Sequence, residues 1–107
     1  MKNILYTSIL ALAFVCTTSV SATCYNVNYN AKFGMRDTAS SNNVSILQLF
    51  LRESKFLAPG PSGYFGPSTL AAVKTFQSRY AIQPVSGFVG PLTRAKIKTV
   101  SCSGDTN

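Results

Sequence analysis

Chemistry at a protein surface starts from titratable and nucleophilic side chains, and this sequence has few. Its acids are Asp37, Glu53 and Asp105, widely spaced along the chain, and there is no His. General acid–base catalysis calls for a His or for carboxylates held close enough to shift one another's pKa values. Three dispersed acids without a His also make no recognisable metal-ligand pattern. The residue types therefore argue against an enzyme, and neither a metal nor another cofactor is expected.

The cysteines are Cys16, Cys24 and Cys102. Cys16 lies in an N-terminal stretch read below as a removable signal, which leaves Cys24 and Cys102 near the two ends of the remaining chain. They have neither CxxC spacing nor a His companion, so a structural disulfide outweighs a reactive or metal-binding thiol pair. On the chain-entropy model a bridge closing so long a loop stabilises the fold by roughly 4 to 5 kcal/mol.

Charge gives the next constraint. Ten Lys and Arg stand against three Asp and Glu, a formal net charge of +7. Lys74, Arg79, Arg94, Lys96 and Lys98 gather in the later part of the chain. Guanidinium groups bind carboxylates and phosphates in bidentate fashion. A solvated helix face is the better account of any one of these residues, but the surplus as a whole favours an anionic partner. Nucleic acid is not expected, because no dense basic run interleaved with aromatics occurs. Membrane disruption is not expected either, because the basic residues share short core-forming helices rather than one long amphipathic face.

These side chains must be positioned by a chain of 107 residues, one domain at most. Lys2, the mostly apolar stretch from Ile4 to Cys16 and the small residues Val20-Ser21-Ala22 read as an export signal over residues 1–22, cleaved after Ala22. The apolar stretch is short for a bilayer, which takes about 20 residues, and an uncleaved anchor is the alternative. From Tyr25 to Phe33, apolar and polar residues alternate as in a short extended segment, and residues 23–40 are assigned as a lead-in. The polar run Asp37 to Asn43 offers N-caps for a first helix over Val44 to Arg52, with Val44, Leu47 and Leu51 inward and Ile46 and Phe50 widening that face. Ala58 to Gly63 breaks the chain.

An internal repeat follows. Gly63-Tyr64-Phe65-Gly66-Pro67-Ser68-Thr69 returns as Gly87-Phe88-Val89-Gly90-Pro91-Leu92-Thr93. In each copy the first Gly suits a tight turn, the second suits an unusual backbone angle, and Pro starts a helix where its missing N–H has no partner to lose. The second helix is expected from Pro67 to Tyr80, with Leu70, Val73, Phe76 and Tyr80 available to the core. The third is expected from Pro91 to Val100, with Ile97 and Val100 inward.

The ordered set Val44, Leu47-Gln48, Leu51, Gly63-Tyr64-Phe65-Gly66-Pro67, Ala72-Val73-Lys74, Phe76-Gln77, Ile82, Gly87-Phe88-Val89-Gly90-Pro91, Thr93 and Ile97 resembles the type-1, three-helix peptidoglycan-binding domains of bacteria. The likeness runs over about residues 33 to 100. It implies an all-α fold, here a small closed three-helix bundle over residues 41–102 with an extended lead-in, one disulfide and a tail at 103–107. It also implies a noncatalytic module, secreted or periplasmic and associated with the cell wall. The partner is peptidoglycan or another anionic wall polymer, the module is expected to be a monomer, and no stable membrane insertion follows signal cleavage. Two other readings stand beside this one: a targeting or regulatory subunit of a separate cell-wall hydrolase, and a secreted basic protein that binds other anionic polymers or membranes.

Four residues are the ligand-binding candidates. Tyr64 sits in a Gly-flanked turn, where its ring could stack on a sugar and its hydroxyl could hydrogen-bond, with core packing as the competing role. Phe88 occupies the same place in the second copy, and Arg94 is the expected charge partner. Gln77, like Gln48, either meets ligand or satisfies buried loop backbone.

Overall fold

The computed structural model describes residues 23–103. The expected signal peptide at 1–22 and all of the tail beyond Ser103 lie outside the described residues. Three helices follow one another: α1 (Asn43–Glu53), α2 (Pro67–Arg79) and α3 (Pro91–Cys102). Among the described residues there is no strand, only isolated bridges of the lead-in to the repeat turns and one between Thr38 and Ser41 where the lead-in ends. The fold is the expected all-α bundle with an extended lead-in, and each helix runs within two residues of its expected ends.

Helical spacing explains the core. Val44, Leu47, Phe50 and Leu51 of α1, Ala72, Val73 and Phe76 of α2 and Ile97 of α3 are buried together with Phe65 and Val89 from the repeat turns. Phe76 is the hub of the aromatic packing, with its ring centroid 5.4 Å from Phe50, 5.6 Å from Phe56 and 4.8 Å from Tyr80. Leu70, Tyr80 and Val100, expected inward, are only partly buried against this cluster.

The cap of α1 comes from the expected polar run, though from its first residue rather than from the one before the helix. Asn42 makes no side-chain cap. Instead Asp37 accepts hydrogen bonds from the Val44 amide at 2.8 Å and the Ser45 amide at 3.2 Å, and from the Ser45 hydroxyl. A carboxylate at a helix N-terminus satisfies unpartnered amides and complements the helix dipole, so one of the three acids is spent on structure.

The exits from α1 and α2 are built alike. The Lys55 amide donates to the Arg52 carbonyl and the Phe56 amide to the Leu51 carbonyl, while Ala81 and Ile82 donate to Ser78 and Gln77. This is a Schellman arrangement, which needs a left-handed residue after the cap and usually takes Gly. Here Lys55 and Ala81 fill that place at φ 72° and 55°, so no sequence signal announced either end.

The lead-in is tied to the bundle at several points. The Cys24–Cys102 disulfide forms, and beside it the Tyr25 amide donates to the Ser101 hydroxyl at 2.9 Å. Ala31 exchanges backbone hydrogen bonds with Val89 at 3.0 and 2.7 Å, and Gly34 and Met35 bond Phe65 at 2.8 Å each. The expected alternation holds in part: Val27 and Ala31 are buried, whereas Tyr29 and Phe33 are exposed. With pairing confined to single bridges, the strand period is not sustained past each contact. Tyr25 packs edge-on to Phe50. Its hydroxyl pKa is pushed up to about 12 by burial first, then by the hydrogen bond and negative charge of Glu53.

Candidate functional site

The two copies of the repeat become two turns built on the same hydrogen bonds. In the first, Gln48 donates to the Tyr64 carbonyl at 2.8 Å and to the Thr69 hydroxyl at 3.0 Å, and accepts from the Gly63 amide at 3.0 Å. In the second, Gln77 donates to the Phe88 carbonyl at 2.9 Å and to the Thr93 hydroxyl at 3.1 Å, and accepts from the Gly87 amide at 2.8 Å. Ser62 and Ser86 each accept from the amide two residues on, at 3.2 and 3.1 Å. Both glutamines are buried, at 2% and 1% exposure, and a buried amide must be paired. Gln77 therefore supports its turn from beneath, and its donors and its oxygen are engaged there.

The glycines divide the work differently from expectation. Gly63 and Gly87 have φ 81° and 84°, the left-handed region where side chains are strained. Gly66 and Gly90 have extended backbone at φ −100° and −103°, open to any residue, so the expected unusual angle at the second Gly is not found. Their small size serves packing. A Cβ at Gly66 would meet the Tyr64 ring at 3.0 Å, and one at Gly90 would meet the Phe88 ring at 2.9 Å. Each aromatic ring packs against the glycine that precedes its helix, leaving no room for a side chain there.

What covers each ring differs. Over Tyr64 sits the guanidinium of Arg36, 4.1 Å from the ring centroid, carried there by the antiparallel bridge between Arg36 and Tyr64. Such stacking is worth about 0.5 to 1 kcal/mol at an exposed site. A cavity of about 230 Å³ opens beside this turn, lined by Gln48, Pro59, Ser62, Tyr64, Pro67 and others. Among the described residues no cation stacks over the Phe88 ring, and Phe88 is exposed. Arg94 donates from Nε to the Asn30 side chain at 3.0 Å. The guanidinium at the Tyr64 ring is thus that of Arg36, and Arg94, the expected charge partner, is engaged by Asn30 instead. Arg36 was missed because it lies in the lead-in, where no spacing rule points to the turn it will meet.

The model of the family described as "Putative peptidoglycan binding domain" matches residues 40–97. The chain belongs to the peptidoglycan-binding domain family. The match spans α1, α2, both repeat turns and most of α3, the same elements that the shared hydrogen-bond networks hold together. Among solved structures, the chain is similar to the one titled "The crystal structure of SleB N-terminal domain", with a TM-score of 0.59 and 26% identity, covering 67% of this chain and 92% of that one. The comparison with curated proteins found no match.

Family membership associates the protein with the cell wall and leaves the charges to be placed. Glu53 is engaged with the Tyr25 hydroxyl and Asp37 with α1. Lys96 lies 5.6 Å from the Tyr80 ring and Arg79 5.5 Å from the Phe56 ring, so part of the basic surplus packs on aromatic faces. No helix among the described residues is long and apolar enough to cross a membrane.

Proposed function

We propose that the protein is exported, is cleaved after Ala22, and holds wall peptidoglycan as a noncatalytic, monomeric module. The observation that supports this best is the pair of repeat turns in a member of this family. Each presents an aromatic ring at the start of a helix, on a basic chain whose two described acids are already bonded within the fold. Peptidoglycan offers the matching chemistry: sugar rings with apolar faces, and peptides with carboxylates. The scarcity of acids and the absence of His support binding without cleavage.

Tyr64, Phe88 and Arg94 are the contact residues in this reading, with Gln77 holding Phe88 in place. Tyr64 and Arg94 meet ligand alongside Arg36 and Asn30, which already engage them. The test is sedimentation with purified sacculi. The folded protein pellets with them, added salt weakens retention only in part because stacking and hydrogen bonds are less screened than charges, and no muropeptides are released. Protein that stays in the supernatant at low and moderate salt defeats the proposal.

A further inference from the structure

The two turns share a frame but not a surface. In the first copy the chain's own Arg36 covers the aromatic face. In the second, the lead-in residues beside Phe88 are Lys32 and Phe33, and together with Leu70, Ser86 and Gly87 they line a cavity of about 260 Å³. Phe33 is 51% and Phe88 43% exposed. Lys74 reaches the same place, since its Cε would lie 3.4 Å from a Cβ at Gly87. The other exposed large apolar side chains among the described residues, Tyr29, Val85 and Leu92, belong to the same lead-in and the same turn. The first turn contributes none.

Two half-exposed phenyl rings lining one cleft, with lysines at its edge and the described acids committed elsewhere, ask for a ligand that is apolar on one side and anionic on another. We propose that the Phe33–Phe88 cleft is a saccharide subsite: it takes one sugar ring of the glycan strand against the two phenyl rings, with Lys32 and Lys74 pairing a carboxylate of the attached peptide. The proposal deepens the wall-binding reading and rests on it. A sugar's C–H face desolvates well against an aromatic ring, while the ammonium groups remain wet enough to accept a charge at the rim. The absence of a covering cation makes Phe88, rather than Tyr64, the primary stacking platform.

The test uses isotope-labelled protein titrated with a disaccharide–tetrapeptide muropeptide and, separately, with the uncharged N-acetylglucosamine disaccharide, followed by amide chemical shifts. The largest shifts are expected at Lys32, Phe33, Gly87 and Phe88. The double variant Phe33→Ala with Phe88→Ala should weaken muropeptide binding by about tenfold or more while circular dichroism stays helical. Lys74→Ala should weaken muropeptide binding about threefold and leave the uncharged disaccharide unaffected. If wild type sediments with sacculi but the shifts centre on the Tyr64 turn, or the double variant binds as wild type, the subsite is refuted and wall binding stands. If wild type neither sediments nor responds to muropeptide, the wall-binding reading falls and the subsite with it.

Discussion

Replacing Gln77 by Ala removes three hydrogen bonds at once: to the Phe88 carbonyl, to the Thr93 hydroxyl and from the Gly87 amide. A net hydrogen bond is worth about 1 kcal/mol, and leaving a buried partner unpaired costs about 1 to 3 kcal/mol more. Thr93 is buried with Gln77, so water cannot readily replace the lost amide there. The expected loss is about 3 to 5 kcal/mol, a large share of the 5 to 15 kcal/mol typical of a small domain. At about 4 °C or more per kcal/mol for a domain of this size, the Tm should fall by about 12 °C or more. Gln48→Ala removes the matching bonds of the first turn and two more to Ser62, and should lose at least as much. Urea unfolding followed by circular dichroism measures both, with the slope m expected to be unchanged. A loss below about 1 kcal/mol in either variant would refute the claim that these amides hold the turns.

Reducing the Cys24–Cys102 bridge should lower stability by roughly 4 to 5 kcal/mol on the chain-entropy model, and thiol titration of the unfolded, unreduced protein should find no reaction at these two positions. Lys55→Gly and Ala81→Gly should each stabilise by up to about 1 kcal/mol, because both residues sit at positive φ where Gly is unstrained; thermal melts that show a loss would contradict the Schellman geometry. Absorbance titration of the phenols should show one tyrosine ionising near pH 12, a phase removed by Tyr25→Phe. Because the folded state holds that proton more tightly than the unfolded chain, whose tyrosine ionises near 10, the stability tied to it is intact below about pH 10 and declines from there towards pH 12.

The helices were legible because each depends on local rules: apolar spacing for α1, and Gly-Pro starts for α2 and α3. The disulfide was legible by elimination among the cysteines. Contacts made at long range were not. Arg36 reaches the Tyr64 ring, and Ser101 accepts from Tyr25; no periodicity encodes such meetings. The second glycines illustrate the same limit. A Gly before a helix start reads as a backbone requirement, yet at Gly66 and Gly90 the reason is the aromatic ring two residues earlier. At the candidate site, the sequence offered Gln77 as either ligand contact or backbone support, and its burial beneath the turn favours support.

The repeat also suggests how one fold can keep stability and recognition apart. Both turns carry the same Gln–Thr–Ser hydrogen bonds, so both contribute to the frame, and the loss of either should be costly. Their exposed faces are set by the lead-in instead, which crosses the two turns with different residues: Arg36 at the first, Lys32 and Phe33 at the second. A substitution in the lead-in can therefore change what a turn presents without touching the bonds that hold it. On this argument the lead-in, itself pinned at its start by the disulfide and Ser101, sets the surface the module presents, and the helices and glutamines supply its support. It follows that exchanging the covers, by placing Ala at Arg36, exposes Tyr64 as a second platform while the Gln48 network beneath it stays whole.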